Sequence, residues 1–432
     1  MRAANYKKND ENSGKTRIVV LGTGFAGSAF MESFSRNLPR RYRDNADLIA
    51  VNNTNYLTFS PLLHEVATGE VFENHITIPV RSEIINHGFK FLEEEIEKVI
   101  PERNEVVTEH SNLKYDYLVM ALGSENNDFG IDGVAEHAIP LKTIKNGELI
   151  RNKILESVRN AVSTEHSDGS TNGKLTFAII GGGASGVELA ASTKEYVDNL
   201  QYDYKITGLV SRVILIEAQC HLMEGSGNAF STRLESLLKE SGIELLLNTK
   251  VTKVTEDEIL LDNGNFIKTS NVFWTAGVKN SSVAAMMGGS HVNKKSGRII
   301  VDQFLRVPGF ENIAVIGDNG LVLTQVQNQY VPQTAAAAVQ EGNYLGERLA
   351  SVVRERKNNV PFIYRDKGTM LSLGRFNGLY KLQNGFILSG FSAWLAWRLI
   401  HIIKISTFQN KVEVFSDWFS LALHRRDVIR SH

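Results

Sequence analysis

The chain has 432 residues, room for about three domains, and its 42% hydrophobic and 22% charged residues mark a globular protein with a large core. A net charge of -1 argues against a general nucleic-acid-binding surface. The single cysteine, Cys220, excludes an internal disulfide and any redox disulfide cycle within one chain.

The first 14 residues are polar, lack the apolar stretch of a signal peptide and read as a disordered tail. No uninterrupted apolar run reaches the ~20 residues that span a bilayer. The run Ile18, Val19, Val20, Leu21 leads into Gly22-Thr23-Gly24-Phe25-Ala26-Gly27. A strand ending at Leu21 delivers the backbone to a tight turn at Gly22. Gly24, with no Cβ, lets the main chain approach a pyrophosphate, and Gly27 allows close helix–strand packing. The phosphate then sits on the free N–H groups of a helix starting near Phe25. The next strand, 47–51, ends at Asn52. An acid usually stands there to hold ribose hydroxyls. The amide oxygen still accepts a hydrogen bond, without the charge-assisted component.

Asp116–Gly123 reads as a strand closing in the turn Ala121-Leu122-Gly123. The nucleotide fingerprint then repeats. A strand over 175–180 leads into Gly181-Gly182-Gly183-Ala184-Ser185-Gly186, and a second strand, 213–216, ends at Glu217. A carboxylate there binds both adenosine ribose hydroxyls and repels a 2′-phosphate, so NADH is expected over NADPH. Glu188 lies in the first turn of the helix. It has two readings: a favourable partner of the helix dipole, or a carboxylate that handles protons beside a nicotinamide or quinone. Two further strands end in Ala276-Gly277 and Gly317-Asp318. The stretch from Val331 to Gly342, with Gln333, Thr334, Ala335, Ala336 and Gln340, starts a helix. No metal-ligand cluster is apparent, so no metal is expected.

The C-terminus changes character. Residues 385–405 are strongly apolar, and three of the four tryptophans, Trp394, Trp397 and Trp418, fall in the last 40 residues. Arg398, His401 and Lys404 recur every third position, which makes a spanning helix a poor fit. An interfacial helix explains the pattern better, with Trp, Leu and Ile entering lipid while Arg398 and Lys404 reach headgroups. A second helix follows, with Val412, Phe415, Phe419 and Ala422 on one face. From Phe391 onward six Lys/Arg stand against three Asp/Glu, which suits an anionic leaflet. A dimerisation or core helix is the alternative.

Two fingerprints in one polypeptide suggest two nucleotides and hydride transfer from a nicotinamide to a flavin. The wider sequence resembles the type II NADH:quinone oxidoreductases from Arg17 to the C-terminus. The markers include Asn55-Tyr56-Leu57-Thr58-Phe59-Ser60-Pro61-Leu62-Leu63, Val66-Ala67-Thr68-Gly69, Phe129-Gly130-Ile131-Asp132-Gly133-Val134 and Asp366-Lys367-Gly368-Thr369-Met370. The resemblance implies an α/β fold with two Rossmann-like domains and a C-terminal amphipathic membrane-binding region. It sets an FAD domain at 15–150 and 285–355, an NADH domain at 165–284 and the C-terminal region at 356–432.

By the same resemblance FAD is tightly bound and NADH is a substrate. Ser60, Pro61, Leu62, Thr334 and Ala335 line the flavin, Asp318 bonds its ribityl chain, and Ala276-Gly277 lie near the nicotinamide. The quinone site takes in Gln333, Ala336, Gln340 and Lys367. Family members usually carry two glutamines four apart; here the first position is Ala336. Lys367 favours the reduced quinone or orders a water, unless it is a plain surface lysine. Electrons then pass to a membrane quinone of ubiquinone or menaquinone type without proton pumping. The protein is expected as a peripheral homodimer on the cytoplasmic face of a plasma membrane, or on the mitochondrial inner membrane. Sulfide:quinone oxidoreductases need paired cysteines that Cys220 alone cannot supply. A ferredoxin-type reductase suits the tail poorly, and an NADH-sensing flavoprotein is the remaining alternative.

Overall fold

The computed structural model describes residues 14–165, 175–205, 210–280, 287, 291–324, 329–356 and 358–423. The expected polar tail lies outside these residues except for Gly14, as do the cations Arg425, Arg426 and Arg430. The chain forms two compact units: Met1–Leu57, Pro79–Glu125 and Lys279–Arg365, and Thr58–Ile78, Asn126–Val278 and Asp366–His432.

The first unit is built on a five-stranded sheet in the order Ile313–Val315, Tyr117–Met120, Thr16–Leu21, Ala46–Asn52, Lys90–Glu93. Its pairings are all parallel, with Leu21 opposite Val51 on one side and Met120 on the other. Ile18 to Leu21 are fully buried, as an unbroken apolar run covered on both faces must be. Helix Phe25–Asn37 packs against helix Ala335–Val353 at backbone distance. A Cβ on Gly342 would stand 2.3 Å from Ala26 O, and one on Gly346 2.6 Å from Phe30 O. Those two glycines therefore set how closely the helices approach.

The second unit repeats the plan with the parallel order Ala138–Pro140, Asn271–Trp274, Thr176–Ile180, Arg212–Ile216, Ile243–Leu246. Helix Ala184–Asp203 follows its glycine loop. An antiparallel sheet, Thr369–Ser372, Gly378–Lys381 and Ile387–Ser389, precedes helices Phe391–Lys404 and Phe408–Leu423.

Two features refine the layout read from the sequence. The apolar stretch 385–405 is not one helix: Gly390, at φ +76°, separates an edge strand from the helix beginning at Phe391. The division between units also differs from the expected domains. Residues 58–78 and 126–150 pack with the second unit, because Gly147 lets helix Ile144–Glu165 sit directly on Val66 and Leu63. The C-terminal segment from Asp366 is likewise part of that unit's packing, with Trp397 only 1% exposed.

Candidate functional site

The first glycine loop meets its stated requirements. Gly22 has φ +92°, its N–H donates to Val51 O at 2.8 Å, and a Cβ would lie 2.3 Å from Ala121 O. A Cβ on Gly27 would lie 2.1 Å from Gly22 O. Gly24 instead faces open space and caps helix Phe25–Asn37, the arrangement that admits a phosphate onto free N–H groups. Asn52 has a local reason to be an amide. Its Nδ2 donates to Thr54 O (2.8 Å) and Oγ1 (2.9 Å), while Oδ1 accepts a long bond, 3.4 Å, from Thr23 N. A carboxylate could not make the two donations.

Further along this unit, Asp318 Oδ2 accepts from Ser124 Oγ at 2.6 Å, and Asn319 Nδ2 donates to Gly123 O at 2.6 Å. These bonds join the turn at Ala121–Gly123 to the Gly317-Asp318 turn. Thr334 caps helix Ala335–Val353, accepting from Ala337 N at 3.3 Å. Behind this helix start lies a further carboxylate. Glu341 is buried, and its Oε2 accepts from Gly317 N at 2.6 Å. Burial pushes its pKa up to about 8, against the pull of the Gly317 bond and of buried Arg298.

Two of the residues expected at the quinone make hydrogen bonds to nearby backbone. Gln333 precedes the helix and donates to Asp318 O at 3.0 Å. Gln340 accepts from Arg365 N and donates to Arg365 O, each at 3.0 Å, and also donates to Ala336 O at 3.2 Å. Its amide thus pins the chain two residues before Lys367, which is exposed and belongs to the second unit. Ser60, Pro61 and Leu62 also belong to that unit, as a short 3-10 turn with Leu62 fully buried.

The second glycine loop opens into a cleft of about 480 Å³ within its own unit. Gly181, at φ +111°, has no room for a Cβ against Ala276 N at 2.7 Å, and Gly186 has none against Gly181 O at 1.9 Å. Gly183 faces open space and caps helix Ala184–Asp203, whose first residues Ala184 and Ser185 are exposed. Glu217 stands at the cleft wall, oriented by two backbone donors: Gly182 N to Oε2 at 2.5 Å and Gln219 N to Oε1 at 2.8 Å. Gly182 is constrained too, since a Cβ there would meet Glu217 Oε2 at 2.9 Å. Ala276 and Gly277 line the cleft.

Phe129, another residue the sequence reading did not assign, lies over Gly277 and adopts φ +55°, a strained value for a bulky side chain. Thr249 and Lys250 complete the wall near Glu217. Thr249 and Lys250 belong to no motif in the sequence, and Phe129, although it opens the marker Phe129–Val134, carries no sign there of its place over Gly277.

Glu188 is not among the residues lining this cleft. Its carboxylate is buried and turned the other way. Oε1 accepts from Ser372 N and Trp397 Nε1, both at 3.0 Å, and His64 Nδ1 stands 3.8 Å from Oε2. Burial pushes its pKa up to about 8, with the two donors opposing and nearby Glu65 reinforcing the rise. At neutral pH the group is therefore mostly a neutral acid, not a charge paired with the helix dipole.

The C-terminal helices extend this buried layer. Arg398 Nη2 lies 3.3 Å from Glu65 Oε1 and 3.4 Å from Glu70 Oε2. Its guanidinium sits 4.3 Å from the Trp418 ring centre, 4.8 Å from Trp394 and 5.9 Å from Trp397. Trp418 Nε1 donates to Glu65 Oε2 at 2.7 Å. His401 is buried, and desolvation pushes its pKa down to about 3, so Nδ1–H of the neutral ring donates to Trp397 O at 2.7 Å. Asp417 takes His75 Nδ1 at 2.6 Å, and Asn410 Nδ2 donates to His75 O at 2.8 Å. Helix Phe408–Leu423 is thereby tied to the segment that follows Leu62.

Trp397, Trp418 and Arg398 were expected in lipid and at headgroups; all three point into the protein, because buried Glu65, Glu70 and Glu188 recruit them. Trp394 is half-buried. Lys404 is exposed, and its pKa is held down by partial burial and by Lys367. The outward face consists instead of Leu395, Leu399, Ile403, Phe408, Phe415 and Phe419, with Phe391 and Val412 beside them. Among the described residues no helix is long and apolar enough to cross a membrane.

Residues 16–342 match the family model of the pyridine nucleotide-disulphide oxidoreductases. The chain belongs to that family, and within it to the type II NADH:quinone oxidoreductases. It is 30% identical to the type II NADH:quinone oxidoreductase of Haemophilus influenzae, over 85% of this chain and 87% of that protein. It is 29% identical to a probable NADH dehydrogenase of Dictyostelium discoideum, over 95% of this chain and 90% of that one. The fold matches a structure of NDH2 from Plasmodium falciparum in complex with NADH, with a TM-score of 0.85 at 21% identity. That match covers 96% of this chain and all (100%) of the other.

Proposed function

We propose that the protein oxidises NADH at the second glycine loop and passes the electron pair, through FAD held by the first, to a membrane quinone without pumping protons. The observation that carries this reading is the pair of glycine loops, each clear of side chains where a phosphate belongs, on a chain of this family. Glu217 selects NADH by accepting from the adenosine ribose hydroxyls and repelling a 2′-phosphate. Ala276 and Gly277 line the same cleft and are assigned to the nicotinamide end of NADH. Flavin, when bound, supplies the exchange between a hydride donor and a quinone acceptor. The first loop, with Asn52, Asp318 and the N-terminus of helix Ala335–Val353, fits its pyrophosphate, ribose and ring electrostatics. Ser60, Pro61 and Leu62 border the flavin, and Gln333, Ala336, Gln340 and Lys367 the quinone.

Glu188 is the acid that accompanies quinone reduction, because burial keeps it protonated at neutral pH and near its titration point. The exposed apolar face of the two C-terminal helices lies on a lipid surface as an interfacial anchor. The protein thus works as a peripheral enzyme on the cytoplasmic face of its membrane or at the mitochondrial inner membrane, and as a homodimer.

Steady-state assays with NADH and a short-chain quinone test the reaction. Rapid quinone reduction with a strong preference over NADPH is expected; turnover with sulfide or a ferredoxin but not quinone would refute it. For the anchor, deletion of residues 385–432 is a poor test because it removes the partners of three buried carboxylates. Leu399→Ser, Ile403→Ser and Phe415→Ser, combined, leave those partners in place. The triple variant should no longer co-sediment with anionic vesicles, and undiminished sedimentation would contradict the anchor.

A further inference from the structure

Helix Phe391–Lys404 presents its apolar residues outward, yet its inward face reaches the acid assigned above. Trp397 and Ser372 place two donors on Glu188 Oε1. An indole N–H can only donate, as can a backbone N–H. With Oε1 occupied by two donors, the carboxyl proton resides on Oε2, the oxygen that faces His64 at 3.8 Å. The ring of Trp397 is itself fixed. It lies edge-on to His64 at 5.8 Å and over His401 at 4.1 Å between centroids, with the Arg398 guanidinium 5.9 Å away. The groups around Glu188 therefore come from three directions. His64 and Glu65 arrive on helix Leu63–Ala67, Ser372 on its strand, and Trp397, Arg398 and His401 on the C-terminal helix.

We propose that Trp397 is a positioning residue for the acid: its indole fixes Glu188 with the exchangeable proton on Oε2 and makes the helix with the exposed apolar face part of the proton-handling site. The proposal rests on the reading of Glu188 as the acid of quinone reduction. It also explains why an indole, rather than a phenyl ring, stands on the buried side of this helix. A purely packing role has no use for the ring nitrogen, whereas an acid that must hold one tautomer does. The bond strengthens when Glu188 ionises, because a carboxylate is the better acceptor. Loss of the donor therefore raises the proton affinity of Glu188.

The test uses the holoenzyme. Tryptophan emission followed against pH should show a transition near pH 8 in the wild type, where Glu188 titrates beside the Trp397 indole. It should vanish in Glu188→Gln and Trp397→Phe and persist in Trp394→Phe. In the quinone half-reaction, Trp397→Phe should move the alkaline limb of the pH profile upward by roughly 0.5–1 unit, with the NADH half-reaction unchanged. Superimposable pH profiles of wild type and Trp397→Phe would overturn the proposal. So would a transition near pH 8 that survives in Glu188→Gln, a comparison that leaves Trp397 untouched. An unaltered quinone half-reaction in Glu188→Gln, across pH, would instead sink the acid reading on which the proposal stands.

Discussion

The dinucleotide cleft and the buried layer around Glu188 belong to the same unit and are built in opposite ways. The cleft is made largely of backbone: glycines cleared of Cβ atoms, helix N–H groups, and one carboxylate held by neighbouring amides. The layer is made of side chains from distant segments. Glu188 meets Ser372 and Trp397 across 184 and 209 residues, and Glu65 meets Trp418 across 353. The first arrangement tolerates open water and waits for a ligand. The second excludes water, so every charge in it needs a partner already in place.

That contrast is sharpest at Arg398. Arg398→Met leaves Glu65 and Glu70 without their guanidinium and should destabilise the fold by about 3–5 kcal/mol in denaturant titrations. Adding Glu65→Gln and Glu70→Gln should recover part of the loss. A single variant as stable as wild type would mean that water reaches the layer.

The cleft should respond in specificity rather than in stability. Glu217→Gln removes the charge proposed to oppose a 2′-phosphate, so the ratio of kcat/KM for NADH over NADPH should fall roughly ten-fold or more, with little change in Tm. An unchanged ratio would place the discrimination elsewhere, with Lys250 the first residue to examine.

The buried acids make a pH prediction with a definite sign. Glu188 and Glu341 both rise from 4.5 to about 8 on folding, so the folded state holds protons that the unfolded state has released between those values. Stability attributable to each therefore falls as pH rises from about 4.5 to about 8 and levels off above. Glu188→Gln and Glu341→Gln should each flatten that decline in chemical denaturation from pH 5 to 9. A decline as steep as that of wild type would contradict the burial of the group concerned. The smallest effect is expected at Asn52. Asn52→Asp gives up two donations to Thr54 and should cost about 1 kcal/mol while changing flavin affinity of the apoprotein little. A large gain in flavin affinity would show that the missing acid mattered after all.

The same contrast explains what the sequence made legible. Both glycine loops, their flanking strands and Glu217 could be read directly, since each depends on residues within a few positions or on the next strand. The amphipathic character of the C-terminal helices was legible too, but their orientation was not. Tryptophan and arginine suit a lipid interface, and their inward turn depends on Glu65, Glu70 and Glu188, hundreds of positions away. The parts played by Phe129 and Glu341 were hidden for the same reason: one matters through a backbone angle over Gly277, the other through a single bond to Gly317.

Anaerobic rapid mixing separates the roles of the two regions most directly. Bleaching by NADH followed by reoxidation with a quinone should be measured in wild type and in Glu188→Gln. Equal rates of bleaching are expected, with the quinone step slowed at least ten-fold in the variant, the lower range of effects for a lost general acid. Equal rates in both steps would contradict the assignment of proton handling to the buried layer.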